Sequence, residues 1–287
     1  MNNWTHIAEQ LSTLPILADV TDTKKRLDAL RPLSDEVEGR VMQKLRLEWT
    51  YHSNAIEGNK WTFGETYSFL MYGLTAKGKP LKDHLDVRGH NEAIKFLESI
   101  VKEDADLTEV DIRNLHTMIL VEPYYNDAQT PDGQTTQKLI HLGEYKQQPN
   151  HVKTPTGEMH YFASPEDVPI KMNELVSWYN TARHNPQIHP SVLAAFVHHR
   201  FVAIHPFDDG NGRLGRILMN LILMQKGFPP AIVKFKDSKT YYAALTKADN
   251  KEYKELTEFI AERVSDSMNF YLKVAKEESF EVNPYFI

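Results

Sequence analysis

The sequence predicts an all-α fold with a short β-hairpin flap, and three observations carry that prediction. Apolar residues recur at three- and four-residue steps through much of the chain, the spacing that gathers them on one face of a helix. Entry and exit signals frame several of these runs: a capping-box pattern, a Ser-Pro pair, and a glycine followed by two prolines. One segment, about His141 to Phe162, instead has short β-prone flanks around a tight-turn composition.

Each element follows in chain order. In TYHSNAIEGNKWT, Ser53 and Glu57 stand one helical turn apart and Gly58 is placed to end the helix. By itself this is the end of a solvated helix. Thr108 and Asp111 form a capping-box pattern ahead of Ile112, Leu115 and Ile119. HVKTPTGEMHYF centres on Thr154-Pro155-Thr156-Gly157 and reads as a hairpin or flap, or as a solvated loop. Ser164-Pro165 marks a helix entry, after which Met172, Leu175, Val176 and Tyr179 share one side. PSVLAAFVHHRFVAI sets Phe196, Val197 and Arg200 in register with Val192 or Leu193. RILMNLILMQKGFPP is a strongly apolar helix stopped by Gly227 and two prolines.

Composition narrows the function classes. With 287 residues, 41% hydrophobic and 25% charged, the chain can bury a real core and is not a polar linker. A net charge of -6 gives no global pull toward nucleic acid or anionic membrane, so an anion site must be built locally. The absence of cysteine excludes disulfides, a thiol nucleophile and thiolate-bound metal, and fits a reducing compartment. The first twenty residues lack a signal-peptide pattern, and no stretch approaches the about 20 apolar residues of a membrane-spanning helix. The expectation is a cytoplasmic protein.

The chemistry concentrates in HPFDDGNGRLGR, His205 to Arg216. Asp209-Gly210-Asn211-Gly212 tolerates the backbone angles that turn consecutive amides inward, and it runs straight into a helix. Unpaired amides and the helix dipole both favour an anion there. Arg213 and Arg216, three residues apart, share a helix face, and two guanidinium forks beside an amide nest suit a di- or triphosphate. Asp209 can ligate Mg²⁺, with Asp208 pointing elsewhere. His205 can serve as general base near neutral pH, or simply cap a helix end. A P-loop pattern and a zinc-hydrolase HExxH are both missing, and the adjacent His198 and His199 point in different directions on a helix, away from a shared metal with His205.

These residues resemble the signature of the Fic family, H-P-F-x-(D/E)-G-N-G-R-x-x-R, matching all nine specified positions of twelve. The likeness covers about residues 105 to 265. It implies a mainly helical Fic fold, with an amino-terminal helical region, 1–104, and a core domain with carboxy-terminal helices, 105–287. It also implies transfer of AMP from ATP to a hydroxyl of a target protein, with Mg²⁺. His205 would be the base and Asp209 the metal ligand. Asn211 and the Gly210 and Gly212 amides would cradle the α- and β-phosphates with help from Arg213, Arg216 would hold the γ-phosphate, and Phe207 would anchor the loop. Tyr242 and Leu245 resemble adenine-side residues, or are core. The flap would dock the target backbone by strand addition.

Ser53 to Gly58 fits the family's inhibitory pattern (S/T)-x-x-x-E-(G/N), which implies that Glu57, with Ser53, pairs with Arg216 near solvent in place of the γ-phosphate. Two other readings stay open: a hydrolase that removes AMP using Glu57 to position water, and a nucleotide-sensing module without turnover. The resemblance also leaves room for self-modification and a homo-oligomer.

Overall fold

The computed structural model describes residues 3–101, 105–129, 133–153 and 159–278. Eleven α-helices occur among the described residues: α1 (Trp4–Leu11), α2 (Pro15–Asp28), α3 (Asp35–Ile56), α4 (Phe63–Tyr72), α5 (Leu81–Ile100), α6 (Glu109–Leu120), α7 (Val168–Ala182), α8 (Pro190–Ile204), α9 (Asn211–Gln225), α10 (Ser238–Asp249) and α11 (Lys254–Glu278). None is long and apolar enough to cross a membrane.

Helix α8 is the axis of the molecule: eleven of its fifteen residues are buried, His198 and His199 among them, and a helix of that kind must be covered all round. Helices α1, α7, α9, α10 and α11 pack against it. The tightest approach is to α9, where a side chain in place of the hydrogen of Gly215 would fall 2.9 Å from Val202 Cγ1 and 3.1 Å from His198 Nδ1. Helix α3 starts on Ser34, whose Oγ accepts from Val37 N at 3.2 Å. Asp35, Glu36 and Glu38 then sit in its positive first turn. Its buried stripe Val37, Val41, Leu45 and Trp49 repeats every four residues and lays the helix along α5, with its carboxy-terminal end directed at α9. Gly58, at φ 90°, ends it as expected. One hydrophobic core runs from Ala8 in α1 to Leu272 in α11.

The capping box of α6 is present, with Thr108 Oγ1 accepting from Asp111 N at 3.1 Å and Asp111 Oδ2 from Thr108 N at 2.9 Å. Helix α7 departs from the expectation. Ser164-Pro165 forms a turn whose Ser164 carbonyl accepts from Asp167 N and Val168 N, and the helix begins only at Val168. Pro169 takes the first helical turn, where a missing N–H costs nothing. Met172, Leu175, Val176 and Tyr179 are buried as their spacing requires.

Two small antiparallel strand pairs occur among the described residues. The flap pairs β3 (Val152–Lys153) with β4 (Met159–His160), while its proposed turn, Thr154 to Gly157, lies outside the described residues. The other hairpin was not expected: β1 (Tyr124–Gln129) runs against β2 (Thr135–Ile140) in the register Tyr124↔Ile140 to Gln129↔Thr135.

His189 precedes α8, and its Nδ1 accepts from Ser191 N at 3.1 Å. Burial lowers its pKa to about 4, below the ordinary 6.5. Between those values the unfolded chain takes up a proton that the folded chain refuses, so stability falls as pH drops from 6.5 toward about 4. His189→Asn keeps a capping acceptor without the titration. It is expected to flatten the fall in urea midpoint between about pH 7 and about pH 4.5. An unchanged slope would remove His189 from this role.

Candidate active site

The loop between α8 and α9 is bounded by two left-handed residues. His205 closes α8 at φ 53° and Gly210 opens α9 at φ 77°. A non-glycine residue in this region is uncommon and persists only where its surroundings hold it. Phe207 supplies much of that hold. Its ring is fully buried and stacks on His116, centroids 3.9 Å apart. Its N–H donates to Asn211 Oδ1 at 3.0 Å, and its carbonyl accepts from Asn211 Nδ2 and Asn150 Nδ2, both at 2.8 Å. His116 Nδ1 accepts from Gly143 N at 2.9 Å, which leaves its Nε2–H to donate to the Asp209 carbonyl at 3.0 Å. Burial lowers the His116 pKa to about 4, so the neutral tautomer this arrangement needs is the one present.

His205 is oriented by the same logic. Nδ1 lies 3.4 Å from the Val202 carbonyl and carries the proton toward it, so Nε2 keeps its lone pair. The ring stacks on Phe162, centroids 3.8 Å apart at 17°. Burial first, then the positive charge of Lys146, lowers its pKa to about 3. A neutral imidazole with Nε2 free can accept a proton.

At the start of α9, Asp209 Oδ1 accepts from Gly210 N at 2.6 Å and Oδ2 accepts from the Tyr124 hydroxyl. Lys82 Nζ lies 3.9 Å and Arg213 Nη2 3.7 Å from this carboxylate. Burial pushes its pKa up, but Arg213, the Tyr124 hydroxyl and Lys82 outweigh that and hold it below the usual value. Asp208 points away, to Lys138 Nζ at 2.6 Å. Arg213 is buried against Asp86 of α5. Arg216, equally buried, donates from Nε to Ser53 Oγ at 3.0 Å and from Nη2 to the Ser53 carbonyl at 2.9 Å and Glu57 Oε1 at 2.7 Å.

The position of Glu57 is decided by Gly212. A Cβ there would collide with Glu57 Oε1, so the carboxylate rests against the first turn of α9, in the positive field of unpaired amides. The seat built for an anion holds a carboxylate of this chain.

The structure thus brings His205, Asp209, Gly210, Gly212, Arg213, Arg216, Ser53 and Glu57 into one cluster. Tyr242, 47% exposed on α10, stands near it: burial, then the Glu57 charge, raises its pKa. Leu245 packs against the core. Three placements differ from the expectations. The Asn211 side chain is spent on Phe207, leaving only its backbone N–H for a ligand. Arg213 is committed to Asp86 and Asp209. The Glu57 pair reaches solvent on one side only: the Glu57 side chain is 34% exposed, as a solvent-near pair requires, while the Arg216 side chain is 2% exposed. His198 and His199 diverge as expected, to Tyr241 and Asp249.

Sequence reasoning missed Lys82, Asp86, Tyr124, Lys138, Lys146 and Asn150. For Tyr124 and Lys138 a signal existed: the Pro131-Asp132-Gly133 turn composition between the β-prone YYNDAQ and TTQKLI. Asp86, four residues after Lys82 in a helix, carries no local mark of a buried partner.

Residues 106–223 match the model of the Fic/DOC family. A protein of Nematostella vectensis named Protein adenylyltransferase Fic is 32% identical over 235 residues, 81% of this chain and 50% of that protein. The chain spans about half the length of the curated relatives it matches. Among solved structures, a Fic domain containing signaling protein from Bacteroides thetaiotaomicron is similar at TM-score 0.82 and 33% identity, covering 92% of this chain and 99% of that one. Fic-1 from C. elegans is similar at TM-score 0.72 and 28% identity, covering 92% and 72%.

Asp86→Ala would leave Arg213 buried with only the longer contact to Asp209. The expected cost is about 3 kcal/mol of unfolding free energy in urea titration. A loss under about 1 kcal/mol would show that Asp86 does not carry this charge.

Proposed function

The chain belongs to the Fic/DOC family, and on that premise we propose that it is a protein adenylyltransferase, moving AMP from ATP to a hydroxyl side chain of a target protein and restrained by its own Glu57. One juxtaposition supports this reading above all: a neutral histidine with Nε2 free, five residues ahead of a helix amino terminus that already holds an anion. Phosphate on the Asn211 and Gly212 amides, the Gly210 amide being engaged by Asp209 Oδ1, would present its α-phosphorus to a hydroxyl activated by His205. Nε2 takes the hydroxyl proton, the oxygen–phosphorus bond forms, and the bond to pyrophosphate breaks.

Asp209 is one carboxylate, 27% exposed, whose oxygens accept from Gly210 N and the Tyr124 hydroxyl. Mg²⁺ takes few protein ligands and completes its shell with phosphate and water, so a single carboxylate suits it. Asp209 would hold the ion, whose chemistry is to neutralise charge on the phosphates. Arg213, held by Asp86, contributes field more than direct contact. Arg216 is the γ-phosphate ligand, and Glu57 occupies that place. In this reading residues 1–104 regulate and 105–287 catalyse, in a reducing compartment consistent with the absence of cysteine. The edge of the β3–β4 flap receives the target backbone, and Tyr242 borders the adenine.

Incubation with α-labelled ATP and a cell extract tests the proposal directly. His205→Ala should keep nucleotide binding and lose transfer by a hundredfold or more, on the order of a general base's contribution. Near-normal labelling by a well-folded His205→Ala protein would remove the histidine from its role.

Glu57→Gly should raise labelling of targets or of the chain itself, at a stability cost of about 1–3 kcal/mol, because a buried guanidinium loses one of its three acceptors. If Glu57 instead aligns water for AMP removal, the same variant loses release of AMP from a modified protein as transfer appears. Unchanged labelling and unchanged ATP affinity in Glu57→Gly would reduce Glu57 to a helix end.

A further inference from the structure

Lys146 is a buried cation that the proposed chemistry leaves unused. It is 2% exposed and donates from Nζ to Asn150 Oδ1 at 2.6 Å. Its own N–H donates to the Pro206 carbonyl at 2.8 Å, and Asn150 Nδ2 donates to the next carbonyl, Phe207, also at 2.8 Å. The two residues therefore grip successive carbonyls just after His205. The Lys146 ammonium also lies 5.8 Å from the centre of the Phe162 ring, which is stacked on the His205 imidazole. Lys146, Asn150 and Phe162, all between β2 and α7, fix the backbone, the ring plane and the electrostatic surroundings of the histidine.

A clamp on two carbonyls needs hydrogen-bond donors, not a charge, and a buried charge costs desolvation. The charge has a purpose if it acts on the neighbouring imidazole. We propose that Lys146 is a positioning residue for the base: anchored through Asn150, it presents a fixed positive charge to His205 and keeps Nε2 free of a resident proton until the target hydroxyl arrives. The inference deepens the reading of His205 as base and rests on it.

The other groups facing His205 set the balance. Asp209, on the same loop, and the Val202 carbonyl of α8 favour the protonated ring, while His160 of β4 acts in the same direction as Lys146. Burial and Lys146 prevail. Burial also lowers Lys146 itself to about 8, so it remains charged at neutral pH. At lower pH its charge is complete, and it opposes protonation of His205 where protonation would silence a base.

Histidine ¹³Cε1 NMR on the full chain, with the His205 signal assigned by its loss in His205→Ala, follows the imidazole without requiring turnover. In the parent the ring stays neutral from about pH 8 to about pH 4.5. In Lys146→Met its midpoint should rise by about one unit or more, and in Lys146→Arg return to the parent's. Asn150→Asp sets a carboxylate against the ammonium and should raise the midpoint with Lys146 in place, so the test survives a Lys146→Met chain that fails to fold. In the transfer assay, Lys146→Met should lose more kcat/KM at acid than at alkaline pH. An imidazole midpoint unmoved in both Lys146→Met and Asn150→Asp, or one that Lys146→Arg does not restore, overturns the inference whatever the activity. A shifted midpoint in a protein without transfer activity keeps it and overturns the proposed function instead.

Discussion

Two arginines without access to water organise this molecule. Arg213 and Arg216 lie in the first two turns of α9, and a guanidinium with five N–H groups cannot be buried there without acceptors. The acceptors come from far away in the chain: Asp86 on α5 for Arg213, and Ser53 with Glu57 at the end of α3 for Arg216. The amino-terminal helices therefore supply the countercharges without which α9 would strand two cations in the interior. The crossing of α3 and α5 over α9 is as much an electrostatic requirement as a hydrophobic one.

The loop ahead of α9 is held by a different economy, neutral hydrogen bonds to successive backbone groups. Pro206, Phe207 and Asp209 each have a carbonyl tied to a neighbouring segment, by Lys146, Asn150 and His116. The carboxylates of Asp208 and Asp209, in contrast, are met by Lys138 and Tyr124 from a hairpin that is mostly exposed and by the exposed Lys82 at the start of α5. The backbone is pinned from inside, while the charged groups are covered from outside.

Much of this was legible in the sequence, for reasons that differ by element. The run from His205 to Arg216 could be read because its amides, carboxylates and cations are consecutive, so local geometry alone assembles them. The Ser53 to Glu57 contact with Arg216 was legible only through a family pattern, and the burial of Arg216 and Ser53 within it was not legible at all, since depth depends on the packing of α3 against α9. Asp86, Lys146 and Asn150 were missed because each gains its meaning from a partner at least 57 residues away. The β1–β2 hairpin escaped because its strands are mostly exposed and lack an apolar face to produce alternation. Ser164-Pro165 misled by three residues because the pair made a turn before the helix it announced.

The vacancy at Gly212 has a thermodynamic corollary. Because that residue lacks a side chain, the Glu57 carboxylate can sit there, and on the proposed reading the same seat takes either that carboxylate or an oxygen of a nucleotide, but not both. Glu57 is tethered to the tip of a 22-residue helix, so it competes for the seat at an effective concentration fixed by the stiffness of α3 rather than by anything in solution. On the proposed reading, the last turn of α3 is then a threshold. Fraying it by one or two hydrogen bonds lowers that effective concentration and admits nucleotide at levels it would otherwise exclude, with no new contact made anywhere in the site.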